Sequence, residues 1–198
     1  MEGPKVKGVA FRSVERSLAQ LRGAPAVERA IEATDPEVGS RLRLRGIVSG
    51  GWYPIEWYRA WLAGIRAGTG EGRDLLREIG AQCASNDLKG IYRFFLKMLS
   101  PERIFEFTPR FFNNFYDTGK AEIVASRTGY THARYTGCTG FDGNMWAEAM
   151  GSAERVLELA GARHVRFRRF AGGEDGDDHL EVEAHWAVGR EVSGHPPP

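Results

Sequence analysis

The chain has 198 residues, and its 27 basic side chains nearly balance its 26 acidic ones, which gives a formal net charge of +1. This balance excludes the strongly basic composition of a general nucleic-acid binder and the acidic composition of a disordered tail. A hydrophobic fraction of 42% is ordinary for a globular protein, and a chain of this length buries a sizeable core without disulfides.

Residues 1–118 are predicted to be mainly helical, because short segments with a helical period are separated by proline and glycine. The segment that begins after Pro54 is strongly amphipathic, and one of its faces carries Trp57, Trp61 and Ile65. Further helices are predicted after Pro25, after Asp35, over residues 72–84, after Asp87, after Pro101 and after Pro109.

After Gly119 the apolar period changes from helical to extended, and residues 119–188 are predicted to fold in the order strand–strand–helix–strand–strand. The helix has the clearest period in the chain, and its expected stop is Gly161. The predicted ranges are 121–125 and 130–138 for the first two strands, 143–160 for the helix, and 163–170 and 179–188 for the last two strands.

These patterns predict an α+β fold in which the helical N-terminal part packs with an antiparallel sheet. We expect a single domain over residues 1–198 that ends in a tail at 189–198. The apolar stripe of the long helix is expected to lie on the inner face of the sheet. The stripe consists of Trp146, Met150, Val156 and Leu157, and its expected partners are Ile123, Val165, Phe167, Val182 and Trp186.

Charges suggest a register for the last hairpin, because opposite charges on facing strands stabilise a sheet. The register that pairs them is Phe170 with His179, Arg168 with Glu181, and Arg166 with Glu183. The other face of the same ladder is then apolar, and a slip of one residue would destroy both faces. Arg169 breaks the alternation, which indicates a β-bulge.

Aromatic residues are dense along residues 92–116 and around Trp52. Aromatic side chains line the cavities that bind apolar ligands, and they also form ordinary cores and dimer interfaces. The residues predicted to bind a ligand are Trp52, Trp57, Trp61, Phe94, Phe95, Phe111, Phe115 and Trp146.

Motifs for catalysis or metal binding are weak. The sequence contains no nucleophile elbow, Walker A loop or dinucleotide fingerprint, and its five histidines all lie after residue 131. Cys138 before the long helix could be a modified residue, although a small residue at a strand end is the simpler interpretation. We therefore predict no catalytic residue, no metal site and no cofactor.

Three groups of segments resemble an uncharacterised protein family of about this length that is numerous in myxobacteria. The segments are Gly51-Trp-Tyr-Pro54 with Trp57-Tyr58, Ser100-Pro-Glu-Arg-Ile104 with Tyr116-Asp-Thr-Gly119, and Leu159-Ala-Gly161 with Asp177-Asp178 and Trp186. The strand order of the C-terminal half also resembles the superfamily that includes vinyl-reductase-type domains, haem–nitric-oxide-associated domains and TRAPP vesicle-tethering subunits. This resemblance implies frequent dimerisation and an apolar ligand or acyl chain held between sheet and helices. The chain departs from the metal-bearing branches, because it lacks clustered cysteines and helical histidines.

The resulting functional prediction is a non-enzymatic sensory module that holds a small apolar ligand between helices and sheet. The alternative is a homodimeric scaffold for protein interaction that binds no small ligand. We expect a homodimer, a small apolar ligand or a partner protein, no nucleic acid and no membrane span. Two cysteines without a secretory signal favour a reducing compartment, so the expected location is cytoplasmic.

Overall fold

The computed structural model describes residues 3–88 and 99–188, which form helices followed by an antiparallel sheet with one long helix inserted. The helices are α1 (Gly8–Arg22), α2 (Ala24–Ala33), α3 (Pro36–Arg43), α4 (Ile55–Thr69), α5 (Arg73–Asp87), α6 (Pro101–Phe105), α7 (Thr108–Phe115) and α8 (Gly143–Leu159). The strands are β1 (Lys5–Lys7), β2 (Trp52–Pro54), β3 (Lys120–Arg127), β4 (Tyr130–Thr136), β5 (Ala162–Gly172) and β6 (Leu180–Val188). The α+β class and the strand–strand–helix–strand–strand order of the second half are confirmed, and the helix predicted after Asp87 falls on residues outside the described ranges.

Prolines, glycines and one capping carboxylate set the ends of the N-terminal helices. Asp35 caps α3, because its side chain accepts a hydrogen bond of 3.0 Å from the backbone N–H of Glu37. Gly70 ends α4 in the left-handed conformation, with φ of 73°. The apolar faces of α1, α2, α4 and α5 form the main core, in which Trp61 and Tyr58 are fully buried. No helix in the described ranges is long and apolar enough to cross a lipid bilayer.

A two-stranded sheet that the sequence did not predict joins the start of the chain to the segment before α4. Lys5 pairs with Pro54 and Lys7 pairs with Trp52 in antiparallel register. Strands of three residues are too short to show a period of two, which explains why the sequence pattern missed them. This small sheet places the loop of residues 44–51 beside the first turn of α1.

The main sheet has four antiparallel strands in the order β3-β4-β6-β5, and α8 connects β4 to β5. Trp146, Met150 and Leu157 of the α8 stripe pack as the sequence predicted, whereas Val156 lies in a separate cluster with Ile104 and Ala160. Leu157 is fully buried against Phe105, Ala184 and Trp186. Trp146 and Met150 are buried in the main core together with Val182.

The predicted register of the last hairpin is wrong by two residues. Arg168 lies opposite Glu183 rather than Glu181, and Phe167 lies opposite Ala184. Glu181 instead binds the side chains of His132 and Arg134 on β4. The predicted register considered only β5 and β6, so it did not include these partners. The predicted bulge is present between Arg169 and Ala171, and the shift by an even number of residues leaves each side chain on its predicted face.

The second face of α8 packs closely on α5, which the sequence pattern did not indicate. A Cβ atom on Gly80 of α5 would overlap the carbonyl oxygen of Glu148, and one on Gly151 of α8 would overlap that of Arg77. The two glycines therefore allow the backbones of the two helices to touch. This crossing places α5 next to the end of the sheet, where the two helices and β5 and β6 enclose a groove.

Candidate functional site

The aromatic residues predicted to bind a ligand are not gathered around one cavity. Trp61 and Trp146 are buried in the core, and Phe115 on α7 is half-buried against the same core. Phe111 points to solvent, with 49% of its surface exposed. Phe94 and Phe95 lie outside the described residues. The predicted set thus remains a prediction, and within the described chain its members occupy separate places.

The two remaining aromatic residues of that set lie near the small sheet. Trp57 stacks on Tyr53 with 5.9 Å between ring centroids, and the guanidinium of Arg41 lies 4.6 Å from the Trp57 ring. Trp52 is exposed, and the ammonium of Lys7 lies 5.5 Å from its ring. These residues form a surface of stacked rings and cations rather than the wall of a cavity.

A groove of about 250 Å³ opens where α5, α8, β5 and β6 meet. Its apolar lining comes from α8 and from the inner face of the sheet, and its polar lining comes from α5, β5 and the loop that follows β5. The apolar lining residues are Trp146, Ala147, Met150, Phe167, Leu180 and Val182. The charged ones are Arg73, Arg77, Arg169 and Glu174.

The carboxylate of Glu174 lies between two arginines at the mouth of this groove. It accepts a hydrogen bond of 3.1 Å from Arg73 and forms a closer ion pair with Arg169. Arg77, one turn further along α5, pairs with Glu154 at 2.8 Å. The exposed carboxylate of Glu174 is therefore the group that an anionic ligand would have to replace.

The start of α8 is tied to the same loop by a neighbouring carboxylate. Asp175 accepts a hydrogen bond of 2.9 Å from the backbone N–H of Gly143, and Arg73 donates to both of its oxygens at 2.7 Å. These donors lower the pKa of Asp175, chiefly through the hydrogen bond from Gly143 and then through the charge of Arg73. Asp142 completes the helix cap by accepting from the N–H of Met145.

The groups with the most perturbed protonation lie in the core, away from the groove lining. Burial raises the pKa of Glu148 to about 7, and Ser152 on the next turn of α8 is its hydrogen-bond partner. Burial also raises the pKa of Cys83 to about 12, and the Cys83 sulfur lies 3.3 Å from the hydroxyl of Ser17. Glu148 thus resists ionisation below neutral pH, and Cys83 remains a thiol.

Sequence reasoning found only Trp146 among the groove residues as a ligand contact. Met150, Phe167 and Val182 were predicted as core residues of the helix and sheet, and Arg73 and Arg77 were not singled out. Their spacing of four residues on one helix was the available signal, because such a pair lies on one face. Nothing in the sequence showed that this face would meet the sheet.

The chain has a mainly helical part followed by a four-stranded antiparallel sheet with a long helix between its second and third strands, and this fold is similar to that of solved H-NOX proteins. The chain is similar to the Fe(II) unliganded H-NOX protein from K. algicida, with 13% identity over 93% of this chain and 98% of that one and a TM-score of 0.69. A variant of that protein gives 15% identity, 91% and 96% coverage and a TM-score of 0.70.

An oxygen-binding H-NOX domain related to soluble guanylate cyclases, in its oxygen complex, is 14% identical over 91% of this chain and 94% of that one, with a TM-score of 0.66. At these identities the likeness establishes the fold alone. No protein-family model and no curated protein matches the chain. The resemblance to a myxobacterial family remains a prediction from the quoted segments.

The residues that the structure describes do not fit a haem, the group named by the wider resemblance. Aromatic rings fill the interior between the helices and the sheet: Phe141 lies 4.6 Å from Trp146, 4.8 Å from Tyr116 and 5.8 Å from Phe112, measured between ring centroids. The groove is also smaller than the roughly 300–1,000 Å³ of pockets for drug-sized ligands.

Within residues 3–88 and 99–188, the histidine and tyrosine side chains considered as axial ligands of haem iron are engaged elsewhere or stay protonated. His132 and His185 bind carboxylates on the sheet face that points away from the helices. Burial holds the pKa of Tyr58 and Tyr116 well above the ordinary value, so both phenols stay protonated. Among the described residues, no group of three or more histidine, cysteine or acidic side chains could hold a metal ion.

Proposed function

We propose that this chain is a non-enzymatic sensory module that binds a small, mainly apolar ligand with one anionic group in the groove between α5, α8 and the sheet. The observation that carries this proposal is the pairing of an apolar floor with two arginines that share the carboxylate of Glu174 at the mouth. Pockets for small molecules combine these two features, an apolar lining and a few fixed polar groups.

The proposed binding step is an exchange of carboxylates. The ligand's anionic group takes the place of Glu174 between Arg73 and Arg169, and its apolar part lies against Trp146 and Met150. Since Glu174 belongs to the loop that also caps α8 through Asp175, this exchange moves the loop relative to the helix. A change of the loop that depends on ligand binding is what a sensory module requires.

The absence of enzymatic activity is part of the proposal. The arginines and Glu174 that line the groove are held in ion pairs, and Glu148 and Cys83, whose pKa values are strongly raised, lie in the core. General acid–base catalysis needs a group of perturbed pKa within reach of the ligand. The proposed cytoplasmic location rests on the cysteine usage described above.

Binding can be tested on the purified full chain with two probes, octanoate and anilinonaphthalene sulfonate, each an apolar body with one anionic group. Native mass spectrometry of the untreated protein shows in addition whether a small ligand co-purifies. We expect both probes to bind, and Ala147→Phe, which fills the groove, to abolish binding. Glu174→Gln frees Arg169 and leaves Arg73 paired with Asp175 alone, and it should strengthen binding by about tenfold, because charge-assisted hydrogen bonds are the strong ones.

Glu158→Gln is the matched control, because Glu158 is an exposed acid on α8 that pairs with Arg155. This variant should bind both probes as the wild type does. If neither probe binds, or if Ala147→Phe binds them normally while it keeps its fold by circular dichroism, the groove is not the binding site.

A second candidate function is a homodimeric scaffold without a small ligand, and one observation favours it. Phe107, at the N-cap of α7, exposes 41% of its surface, and Phe111, within α7, exposes 49%. Two exposed aromatic rings four residues apart, one at the N-cap of α7 and one within it, suit the apolar centre of a protein interface. Sedimentation of the wild type and of Phe111→Ser would separate the candidates, because a scaffold of this kind loses its dimer in the variant.

A further inference from the structure

The loop of residues 44–51 and the first residue of β2 expose three large apolar side chains. The exposed fractions are 75% for Leu44, 60% for Val48 and 41% for Trp52. The backbone N–H of Gly51 donates to the carbonyl of Val48 at 3.1 Å, so a tight turn separates Val48 from Trp52. We call these three side chains the loop patch.

The loop is held in place by hydrogen bonds to α1, so its apolar side chains are not free to fold inward. Gly8 and Val9 donate their backbone N–H groups to the loop carbonyls of Gly51 and Ser49 at 2.8 and 3.0 Å. The buried side chain of Ile47 anchors the loop in the main core. The exposure of the loop patch is therefore built into the fold, and burial against another surface would be favourable.

The surroundings of the loop patch are cationic. Residues 38–55 contain three arginines, Arg41, Arg43 and Arg45, and no acidic residue. Arg41 pairs with Glu37 of its own helix α3, and Arg45 pairs with Glu15 of α1, at 3.3 Å in each case. Arg43 is exposed and forms no ion pair with any carboxylate that the structure describes. Lys7 likewise has no such carboxylate partner, and its ammonium lies over the Trp52 ring.

We propose that the loop patch docks the protein reversibly on the surface of an anionic phospholipid bilayer. The loop patch matches the chemistry of that interface. Leu44 and Val48 would enter the boundary of the acyl chains, Trp52 would lie at the level of the headgroups, and the arginines would face the anionic phosphates. A protein partner would need a complementary area of roughly 800 Å² and a pocket for each anchor. A bilayer accepts three protruding side chains without shape complementarity, which favours it as the occupant.

This proposal is independent of the proposed ligand groove. The loop patch belongs to the loop after α3 and to β2, whereas the groove is formed by α5, α8, β5 and β6. Either site can therefore fail its test without an effect on the other.

The test is sedimentation of the full chain with vesicles of phosphatidylcholine alone and of phosphatidylcholine mixed with phosphatidylglycerol. We expect binding to the mixed vesicles only, weaker binding at high salt, and a blue shift of tryptophan fluorescence as Trp52 leaves water. The double variant Leu44→Ser/Val48→Ser should lower the partition coefficient by at least about tenfold, because two apolar side chains no longer enter the bilayer. Arg43→Glu should weaken binding to the mixed vesicles as well.

The matched control is Phe170→Ser, because Phe170 is an exposed aromatic residue on β5 with 46% of its surface accessible. It should bind vesicles as the wild type does. Failure of the wild type to bind the mixed vesicles, equal binding to phosphatidylcholine alone, or equal losses in Phe170→Ser and the double variant would each overturn the proposal. A dimer that dissociates in the double variant, without vesicle binding, would assign the loop patch to a second copy of the chain.

Discussion

Replacing Gly80 by alanine tests the crossing of α5 and α8, on which the position of the groove depends. In an isolated helix this change is stabilising by about 1 kcal/mol, because alanine has the higher helix propensity. In this protein the new methyl group would overlap the carbonyl oxygen of Glu148 and lie 2.9 Å from the carbonyl carbon and 3.0 Å from the N–H nitrogen of Ser152. Ordinary contacts of such atoms are roughly 3.5–4.0 Å long, so the two helices must separate.

The size of the effect follows from what that separation disrupts. Overpacking costs about 1–3 kcal/mol, and the overlap with backbone atoms on a rigid helix places Gly80→Ala near the upper end. The hydrogen bond of 2.9 Å from the Ser152 hydroxyl to the Gly80 carbonyl would be strained as well. Its loss costs about 1 kcal/mol, which offsets the gain in helix propensity. The expected net loss in the free energy of unfolding is about 3 kcal/mol.

Urea denaturation followed by circular dichroism measures this loss, provided that the variants keep the same slope. Ala81→Gly is the control, because Ala81 is the next residue on α5 and the substitution reports helix propensity there, with an expected loss of about 1 kcal/mol. Gly151→Ala should behave like Gly80→Ala, since its methyl group would overlap the Arg77 carbonyl. A Gly80→Ala protein as stable as the wild type would show that the two backbones do not touch.

Two further predictions concern α8. Leu157→Ala should lower the free energy of unfolding by about 2–5 kcal/mol, because Leu157 is fully buried against the sheet. Replacement of the exposed Glu158 by alanine should change the free energy of unfolding by no more than about 0.5 kcal/mol. Equal denaturation midpoints for the two variants would contradict this packing. Burial raises the pKa of Glu148 from 4.5 to about 7, so the folded state retains a proton that the unfolded state releases, and stability is lost as the pH rises through this range. Glu148→Gln should therefore gain up to about 3 kcal/mol relative to the wild type between these two pH values, and a difference between the two proteins that does not change with pH would refute the assignment.

The sequence by itself determined the class of the fold and the course of its second half. The period of α8 and its stop at Gly161 were sufficient to locate that helix, because both are local properties of the chain. The succession of two strands before the helix and two after it followed from alternation and turn residues in the same way. Local patterns of this kind predict which face of an element is apolar, and the burial of Leu157 confirms that prediction.

Contacts between distant elements were decided only by the tertiary structure. The hairpin register depended on β4, whose Arg134 and His132 bind Glu181, and a pattern read along one hairpin contains no information on a third strand. The site residues failed to gather for the same reason. Aromatic spacing could not distinguish Trp61, which fills the core, from Trp146, which also lines the groove. A period identifies an apolar face, but the neighbour that covers that face is set by how the helices and strands pack.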